Sequence, residues 1–179
     1  MQGGFIGILQ IQQGRVKKFS TDIGLISDTH GLLREEAVQA LQGSDLIIHA
    51  GDIGKPEILD TLKKIAPVVA VTGNIEQGVA APAWARQLPA TAVAEAGPVT
   101  IYVIHDLHLL DVAPAAAGFQ IVVSGHSHRP SRTERDGVLY VNPGSAGPRR
   151  FQLPVSIARL NLSQTPYAVD FIELGSVLG

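Results

Sequence analysis

The feature that most constrains the fold is an alternation of short apolar runs and helix-like segments in the first half of the chain. Residues 23–27, 46–50 and 67–71 form apolar runs typical of buried strands. Between them, residues 33–41 and 56–66 carry apolar side chains at helical spacing. Because strand and helix alternate in this order, the sequence predicts a βαβαβ unit with a parallel sheet.

Beyond Thr91 the pattern changes to short β-rich runs with few long helical stretches between them. These runs cover residues 99–104, 120–124, 138–141, 155–162 and 167–172. Such a pattern favours a second, mixed or antiparallel sheet that faces the first. We therefore predict an α/β fold in which two facing mixed β-sheets are flanked by helices.

Length and composition indicate one compact domain. A chain of 179 residues, 45% of them hydrophobic, can bury a sizeable core but has little room for a second full domain. Residues 1–22 carry little core pattern, so we interpret them as an N-terminal extension to a single domain spanning residues 23–179. The chain has no cysteine, so any metal must be held by His, Asp, Asn or Glu.

Charge and hydropathy give expectations about partners and location. The formal net charge is −2, without the basic excess expected of a protein that grips a nucleic-acid backbone. The N-terminus has no positively charged region or convincing cleavage site, and no segment approaches the roughly 20 apolar residues of a membrane span. We expect a cytoplasmic protein with no nucleic-acid polymer and no membrane as partner.

Polar residues of the types that bind metals follow several of the predicted strands. They are Asp28, His30, Asp52, Asn74, His105, His126 and His128. Because the carboxyl ends of strands in such sheets open onto one crevice, these side chains can converge although they are far apart in sequence.

Oxygen and imidazole ligands suit Mn²⁺, Fe, Zn²⁺, Ni²⁺ or Mg²⁺. Seven ligands exceed the number that one ion with open positions needs. Two divalent ions about 3.5 to 4 Å apart, which share the carboxylate of Asp52, fit the number of predicted ligands better. The sequence therefore favours a dinuclear site.

Structural interpretations of the same residues compete with ligation. Asp28 and Asp52 could be helix N-caps, and His126 with His128 could belong to a polar turn. Asn74 could be a turn residue, and His105 could be a core histidine. The ordered set at strand ends favours ligation for all seven. His49 lies within an apolar run, so we predict a core or supporting role for it rather than ligation.

The order of these motifs resembles that of a known family. The matching segments are Asp28-Thr29-His30, Gly51-Asp52, Gly73-Asn74, His105 and Gly125-His126-Ser127-His128. The chain resembles the calcineurin-like metallophosphoesterase superfamily, and its flanking residues look like the small bacterial and archaeal phosphodiesterase branch, over roughly residues 23–175. The resemblance implies a four-layer α/β/β/α sandwich.

The resemblance also implies roles for the residues. It places Asp28, His30 and His128 at one metal ion and Asn74, His105 and His126 at the other, with Asp52 between the ions. Asp52, Asn74 and His126 are the implied catalytic residues. A hydroxide between the two ions would attack the phosphorus of a small phosphoester in line. Mn²⁺ is the favoured metal, phosphodiesters are favoured over monoesters, and small relatives often form homodimers or higher homo-oligomers.

Two positions depart from the family pattern. Many relatives have a histidine after Gly-Asn that can assist the leaving group, whereas this chain has Ile75 and Glu76. Water, His108 or Glu76 could supply the proton instead. The common His-Gly is replaced by His105-Asp106, and Asp106 could orient a ligand or cap the next turn.

Two other functions are compatible with the sequence. One is a non-catalytic interaction scaffold, because a retromer subunit shares this fold; loss of ligand histidines would mark it, yet every ligand position is filled here. The other is a nucleotide phosphatase or nuclease, although nucleases of this superfamily carry larger additions than this short chain has room for.

Overall fold

The computed structural model describes residues 11–12, 15–16, 21–79 and 81–175, which form twelve strands and two α-helices. The strands are β1 (Ile11–Gln12), β2 (Arg15–Val16), β3 (Asp22–Ile26), β4 (Leu46–His49), β5 (Val68–Ala70), β6 (Thr91–Ala96), β7 (Val99–Ile104), β8 (Ile121–Val123), β9 (Ser131–Arg135), β10 (Val138–Asn142), β11 (Ser156–Asn161) and β12 (Ala168–Glu173). The helices are α1 (Glu35–Ala40) and α2 (Pro56–Lys63), and short 3₁₀ turns cover Asn74–Glu76, Ala83–Gln87 and Leu107–Leu109.

The first sheet has five strands in the order β12-β11-β3-β4-β5. Strands β3, β4 and β5 are parallel, as predicted from the βαβαβ pattern. Strands β11 and β12 extend this sheet in antiparallel orientation, with Ala158 opposite Leu25. The prediction that residues 155–162 and 167–172 belong to the second sheet was therefore wrong.

Burial explains why β11 lies in the first sheet. Ile157 packs with the cluster on the helix side, whereas Ala158 and Leu160 belong to the cluster between the sheets. A strand with apolar residues on both faces needs cover on both sides, and the first sheet has helices on one face and the second sheet on the other.

The second sheet also has five strands, in the order β6-β7-β8-β10-β9. Strands β7, β8 and β10 are parallel, and the edge strands β6 and β9 are antiparallel to their neighbours. We did not predict β9, because all five of its residues are exposed and it has no apolar alternation.

The main core lies between the two sheets. Ile23, Leu25, Ile48, Ile101 and Val123 are among its buried side chains. Helix α2 buries one face against the first sheet through Ile58, Leu59 and Leu62. The two facing mixed sheets, the first of which is flanked by helices, confirm the predicted fold class.

The outer face of the second sheet has a thinner cover than the outer face of the first sheet. Tyr102, Val122 and Val138 are covered by partly buried residues of the irregular stretch 110–119. Within residues 21–79 and 81–175, no α-helix covers this face.

Strands β1 and β2 pair in antiparallel orientation within the predicted N-terminal extension. Most of that extension, residues 1–22, lies outside the described residues. None of the described helices combines the length and apolar character needed to cross a membrane.

Candidate metal centre

Backbone hydrogen bonds bring together the loops that carry the predicted ligands. The N–H of Asp28 donates to Gly51 O (3.0 Å) and that of His30 to Asp52 O (2.8 Å), which joins the loops after β3 and β4. In the second sheet, the N–H of Gly125 donates to His105 O (3.0 Å). The N–H of His126 donates to Asp28 Oδ2 (3.1 Å) and so links the two sheets.

The first group of converging side chains consists of Asp28, His30 and His128, whose ligand atoms all lie within 4.8 Å of one another. His128 Nε2 lies 3.1 Å from Asp28 Oδ1, and the Nε2 atoms of His30 and His128 are 3.3 Å apart. The structure therefore brings together the three residues assigned to one metal ion.

A second group consists of Asp28, Asp52 and His105. Asp52 Oδ2 lies 3.5 Å from His105 Nε2 and 3.6 Å from His30 Nε2, so this carboxylate stands between the two groups. The Nδ1–H of His105 donates to Ala50 O (2.6 Å), which leaves Nε2 free to bind a metal.

The remaining two predicted ligands lie at the margin of the centre. The ring of His126 is 5.3 Å from that of His105, centroid to centroid. Asn74 lines a cavity together with His105, at the start of a 3₁₀ turn. The metal-binding roles of His126 and Asn74, and the catalytic roles assigned to Asp52, Asn74 and His126, stay predictions.

The donor set fits a cation. Asp28 Oδ1 and His105 Nε2 are buried and have no hydrogen-bond partner. Buried polar atoms without partners are costly, so an acceptor oxygen and an imidazole nitrogen facing the same space indicate a site for a metal ion.

Backbone conformation singles out the same residues. Seven non-glycine residues of the described chain have positive φ, and five of them are predicted ligands. These are Asp28 (φ 54°), His30 (46°), Asp52 (55°), His126 (66°) and His128 (56°). The left-handed region is unfavourable for such residues, and strain of this kind concentrates at functional sites.

Electrostatics keep Asp52 ionised. Burial alone would raise the pKa of Asp52, but the adjacent imidazole of His105, the hydrogen bond from the N–H of Ile75 and the nearby His30 lower this pKa to about 2. Burial also lowers the pKa of His30, against the attraction of Asp52 and Asp28. For His105, burial is outweighed by the attraction of the adjacent Asp52 and by the hydrogen bond to Ala50, which raise its pKa.

Several supporting residues were not found by sequence reasoning. Ser27 Oγ donates to Asp28 Oδ2 (2.6 Å). Asn142 Nδ2 donates to Gly125 O (2.6 Å) and Ser127 Oγ (3.0 Å), and so holds the loop that carries His126 and His128. Ser and Asn at strand ends look like ordinary turn residues, although the Asn142-Pro143-Gly144 stretch at the end of β10 was a usable signal.

The structure corrects the suggestion that Glu76 supplies a proton. Glu76 is 3% exposed, and its two oxygens accept the N–H groups of Gly54 and Gly73, each at 2.9 Å. Its carboxylate therefore ties together the loops after β4 and β5. The alternative that Asp28 and Asp52 are N-caps is also wrong, because Arg34 and Lys55 occupy those positions.

Other residues behave as the sequence suggested. His49 is fully buried and bonds Thr29 Oγ1 (3.0 Å) through Nε2, while its Nδ1 accepts the N–H of Gly51 (3.3 Å). Asp106 caps the following turn by accepting the N–H of His108 (3.0 Å), and its Oδ2 lies 3.7 Å from His126 Nε2. The suggested role of Asp106 as a cap is therefore present, and its suggested role in orienting a ligand stays a prediction.

Two glycines permit the close approach of the loops. A Cβ atom at Gly73 would collide with the carboxylate and the N–H of Asp52. A Cβ atom at Gly125 would collide with Ser27 Oγ and lie 2.7 Å from Asp28 Oδ2. Glycine at both positions is required because the backbone runs directly against the ligands.

Two stacked mixed sheets bring acidic and imidazole side chains together at converging strand ends, in groups that could hold metal ions. A family model described as the calcineurin-like phosphoesterase superfamily domain matches residues 22–165. The chain belongs to this superfamily of metal-dependent hydrolases of phosphate esters.

Relatives agree with this assignment. A probable metallophosphoesterase of Methanocaldococcus jannaschii is 35% identical over an alignment of 136 residues that covers 69% of this chain and 67% of the relative. The solved structure of an archaeal phosphodiesterase aligns with a TM-score of 0.69 at 21% identity, over 84% of this chain and 99% of the other. Vacuolar Protein Sorting 29 of Cryptosporidium parvum aligns with a TM-score of 0.67 at 20% identity, over 87% and 100%. At these identities the two solved structures show the fold alone.

Proposed function

We propose that this protein is a phosphodiesterase that works with two divalent metal ions, Mn²⁺ being the favoured metal. The observation that carries the proposal is the position of Asp52. Its Oδ2 lies 3.6 Å from His30 Nε2 in one ligand group and 3.5 Å from His105 Nε2 in the other. A carboxylate with a pKa of about 2 stays charged at neutral pH and can serve both groups at once.

The chain's own residues prepare the site. Asp28, His30 and His128 would hold one ion, and Asn74, His105 and His126 would hold the other, with Asp52 shared. When bound, two such ions supply an activated water and offset the negative charge of the phosphate. Ser27 and Ala50 fix the orientations of Asp28 and His105, so the donors need little rearrangement to bind.

The proton for the departing alcohol comes from solvent in this proposal. Glu76 is engaged with two backbone N–H groups, and the position that follows Asn74 holds Ile75, which cannot donate a proton. The His108 side chain is 90% exposed and bonds Asp106 through Nδ1 (2.9 Å).

Preference for diesters rests on two lines of support. The flanking motifs resemble the small phosphodiesterase branch, and a solved archaeal phosphodiesterase shares the fold. A cavity of about 370 Å³ next to His105 and Asn74 also leaves room for a group esterified to the phosphate.

A substrate comparison tests this function. The protein is assayed with bis(p-nitrophenyl) phosphate and with p-nitrophenyl phosphate, each with Mn²⁺ and with excess chelator. We expect the diester to be hydrolysed faster, with turnover lost under chelation and restored by Mn²⁺. Faster monoester hydrolysis would contradict diester preference.

The same assay addresses the scaffold alternative. Vacuolar Protein Sorting 29 has this fold, but all seven predicted ligand positions are filled in the present chain. Inactivity on both esters with Mn²⁺, Fe²⁺, Zn²⁺, Ni²⁺ and Mg²⁺ would favour a non-catalytic interaction module.

A further inference from the structure

The cavity of about 370 Å³ beside the centre begins at two predicted ligands of one metal ion, Asn74 and His105. The imidazole of His105 is nine-tenths or more buried, and its Nε2 has no hydrogen-bond partner. This end of the cavity therefore faces the site where the phosphate would bind. The rest of the cavity must face whatever is esterified to that phosphate.

Two aspartates, Asp106 and Asp111, line this cavity, and none of the described residues that line it is a lysine or an arginine. Asp106 Oδ1 is engaged with His108, and its Oδ2 is 3.7 Å from His126 Nε2. Asp111 is exposed. The polar walls also include Thr72 and Gln77.

We propose that this cavity holds the alcohol that leaves the phosphorus, and that Asp106 and Asp111 select an alcohol bearing a positive charge, such as an amino alcohol or a quaternary ammonium alcohol. The proposal rests on the proposed phosphodiesterase function. A carboxylate or second phosphate on the leaving group would face Asp106 and Asp111, with no lysine or arginine among the described lining residues to offset the repulsion, and repulsion of this kind is a common basis of specificity.

The reaction itself is simple hydrolysis. The oxygen of water forms a bond to phosphorus, and the phosphorus–oxygen bond to the alcohol breaks with its electron pair remaining on the alcohol oxygen. That oxygen takes a proton from solvent, and the water gives up one in return. The carboxylates of the cavity act only by binding the alcohol.

Three methyl phosphodiesters test the proposal because they share one phosphate and differ in the charge of the larger alcohol. The alcohols are choline, its uncharged carbon isostere 3,3-dimethylbutanol, and 3-hydroxypropanoate. Release of each alcohol by the Mn²⁺-loaded protein gives kcat/KM. We expect the choline ester to exceed the isostere by about threefold to tenfold, and the anionic ester to be the poorest.

Asp111→Asn is the sharper variant, because Asp106 also contacts a predicted metal ligand. In Asp111→Asn we expect the choline-to-isostere ratio to fall by at least about half. Asp60→Asn, an exposed aspartate on helix α2 on the far side of the first sheet, is the matched control and keeps the wild-type ratio.

The outcomes separate this inference from the function on which it rests. Hydrolysis of the esters without preference for the cationic alcohol, or a ratio unchanged in Asp111→Asn, overturns the cavity's role and leaves the phosphodiesterase intact. Hydrolysis of the aryl diester alone also overturns the cavity's role, whereas failure to hydrolyse the aryl diester and all three alkyl esters overturns both.

Discussion

Asp52 is the residue whose carboxylate faces a histidine of each ligand group. Its Oδ1 accepts the N–H of Ile75 (3.1 Å), and its Oδ2 faces both His30 and His105. Asp52→Asn keeps the shape of the side chain but removes its negative charge. We expect this variant to lose bound metal and turnover together, as measured by elemental analysis and diester hydrolysis, while its circular dichroism spectrum is retained.

The matched control for this change is Asp60→Asn, because Asp60 is 70% exposed on helix α2. It should keep wild-type metal content. Near-normal, chelator-sensitive turnover in Asp52→Asn would show that Asp52 does not connect the two groups.

A substitution at His108 tests whether this residue donates a proton or only supports its neighbours. Its side chain is 90% exposed and contacts Asp106, which already accepts the N–H of the same residue. We expect His108→Ala to lower kcat for diester hydrolysis by less than about threefold. A loss of about 100-fold with unchanged metal content would instead identify His108 as the general acid.

His49 makes stability depend on pH. Burial lowers the pKa of His49 from 6.5 to about 4. Between these values the unfolded chain binds a proton that the folded chain excludes, so the free energy of unfolding falls as the pH is lowered through this window. From pH 7 to pH 5 the contribution of His49 to this fall is about 2 kcal/mol.

Denaturant unfolding of chelator-treated protein at both pH values checks this. In His49→Gln, which does not titrate, the loss between pH 7 and pH 5 should be smaller than in the wild type by about 2 kcal/mol. Equal losses in the two proteins would contradict the assignment of a neutral, buried imidazole.

At the level of single residues, the sequence was most informative where polar side chains ended apolar runs. Asp28, Asp52 and His105 stand out because an ionisable side chain directly after a buried strand calls for a structural or functional explanation. The partners that hold them do not stand out. Ser27 acts through its side-chain hydroxyl and Ala50 through its backbone carbonyl. Neither group can be recognised as part of the site from the sequence, because each meets its partner only when the loops are folded together.

Among the elements, the loop that follows β8 controls two predicted ligands. It is tied to the first sheet by the bond from the His126 N–H to Asp28 Oδ2, and Gly125 lies directly against Ser27. Gly125→Ala would force the loop away from Asp28. We expect metal affinity, measured by calorimetric titration with Mn²⁺, to fall by about tenfold or more.

Gly118→Ala serves as the comparison. A Cβ atom there meets nothing within 4 Å, although the positive φ of 82° makes alanine costly by about 1 kcal/mol. This variant should lose stability without losing metal affinity. Wild-type affinity in Gly125→Ala would mean that the loop does not need its present position.

The elements also show where sequence patterns fail. The parallel order of β3, β4 and β5 was predictable, because each helix between them returns the chain in the same direction. The sheet to which β11 and β12 belong was not. Apolar runs report burial, but the choice of partner strand depends on contacts such as Ala158 with Leu25, across 133 residues of chain.

For the whole molecule, the stacking of two sheets is what creates the site. Asp28 and His126 are 98 residues apart in sequence, and they meet only because the ends of β3 and β8 face each other across the core. Convergence of this kind could be expected from strand ends and the resemblance to a family. The acidic cavity could not, because it forms only where the loop after β5, with Thr72, meets the connection between β7 and β8, with His105 and Asp111.

In the proposed function, two metal ions act together in phosphodiester hydrolysis. Titration of chelator-treated protein with Mn²⁺, with bound metal and hydrolysis of bis(p-nitrophenyl) phosphate followed in the same samples, tests this. We expect turnover to follow the second equivalent of bound Mn²⁺ and to reach its maximum near two ions per chain. Full turnover with one ion per chain, or with none, would contradict it.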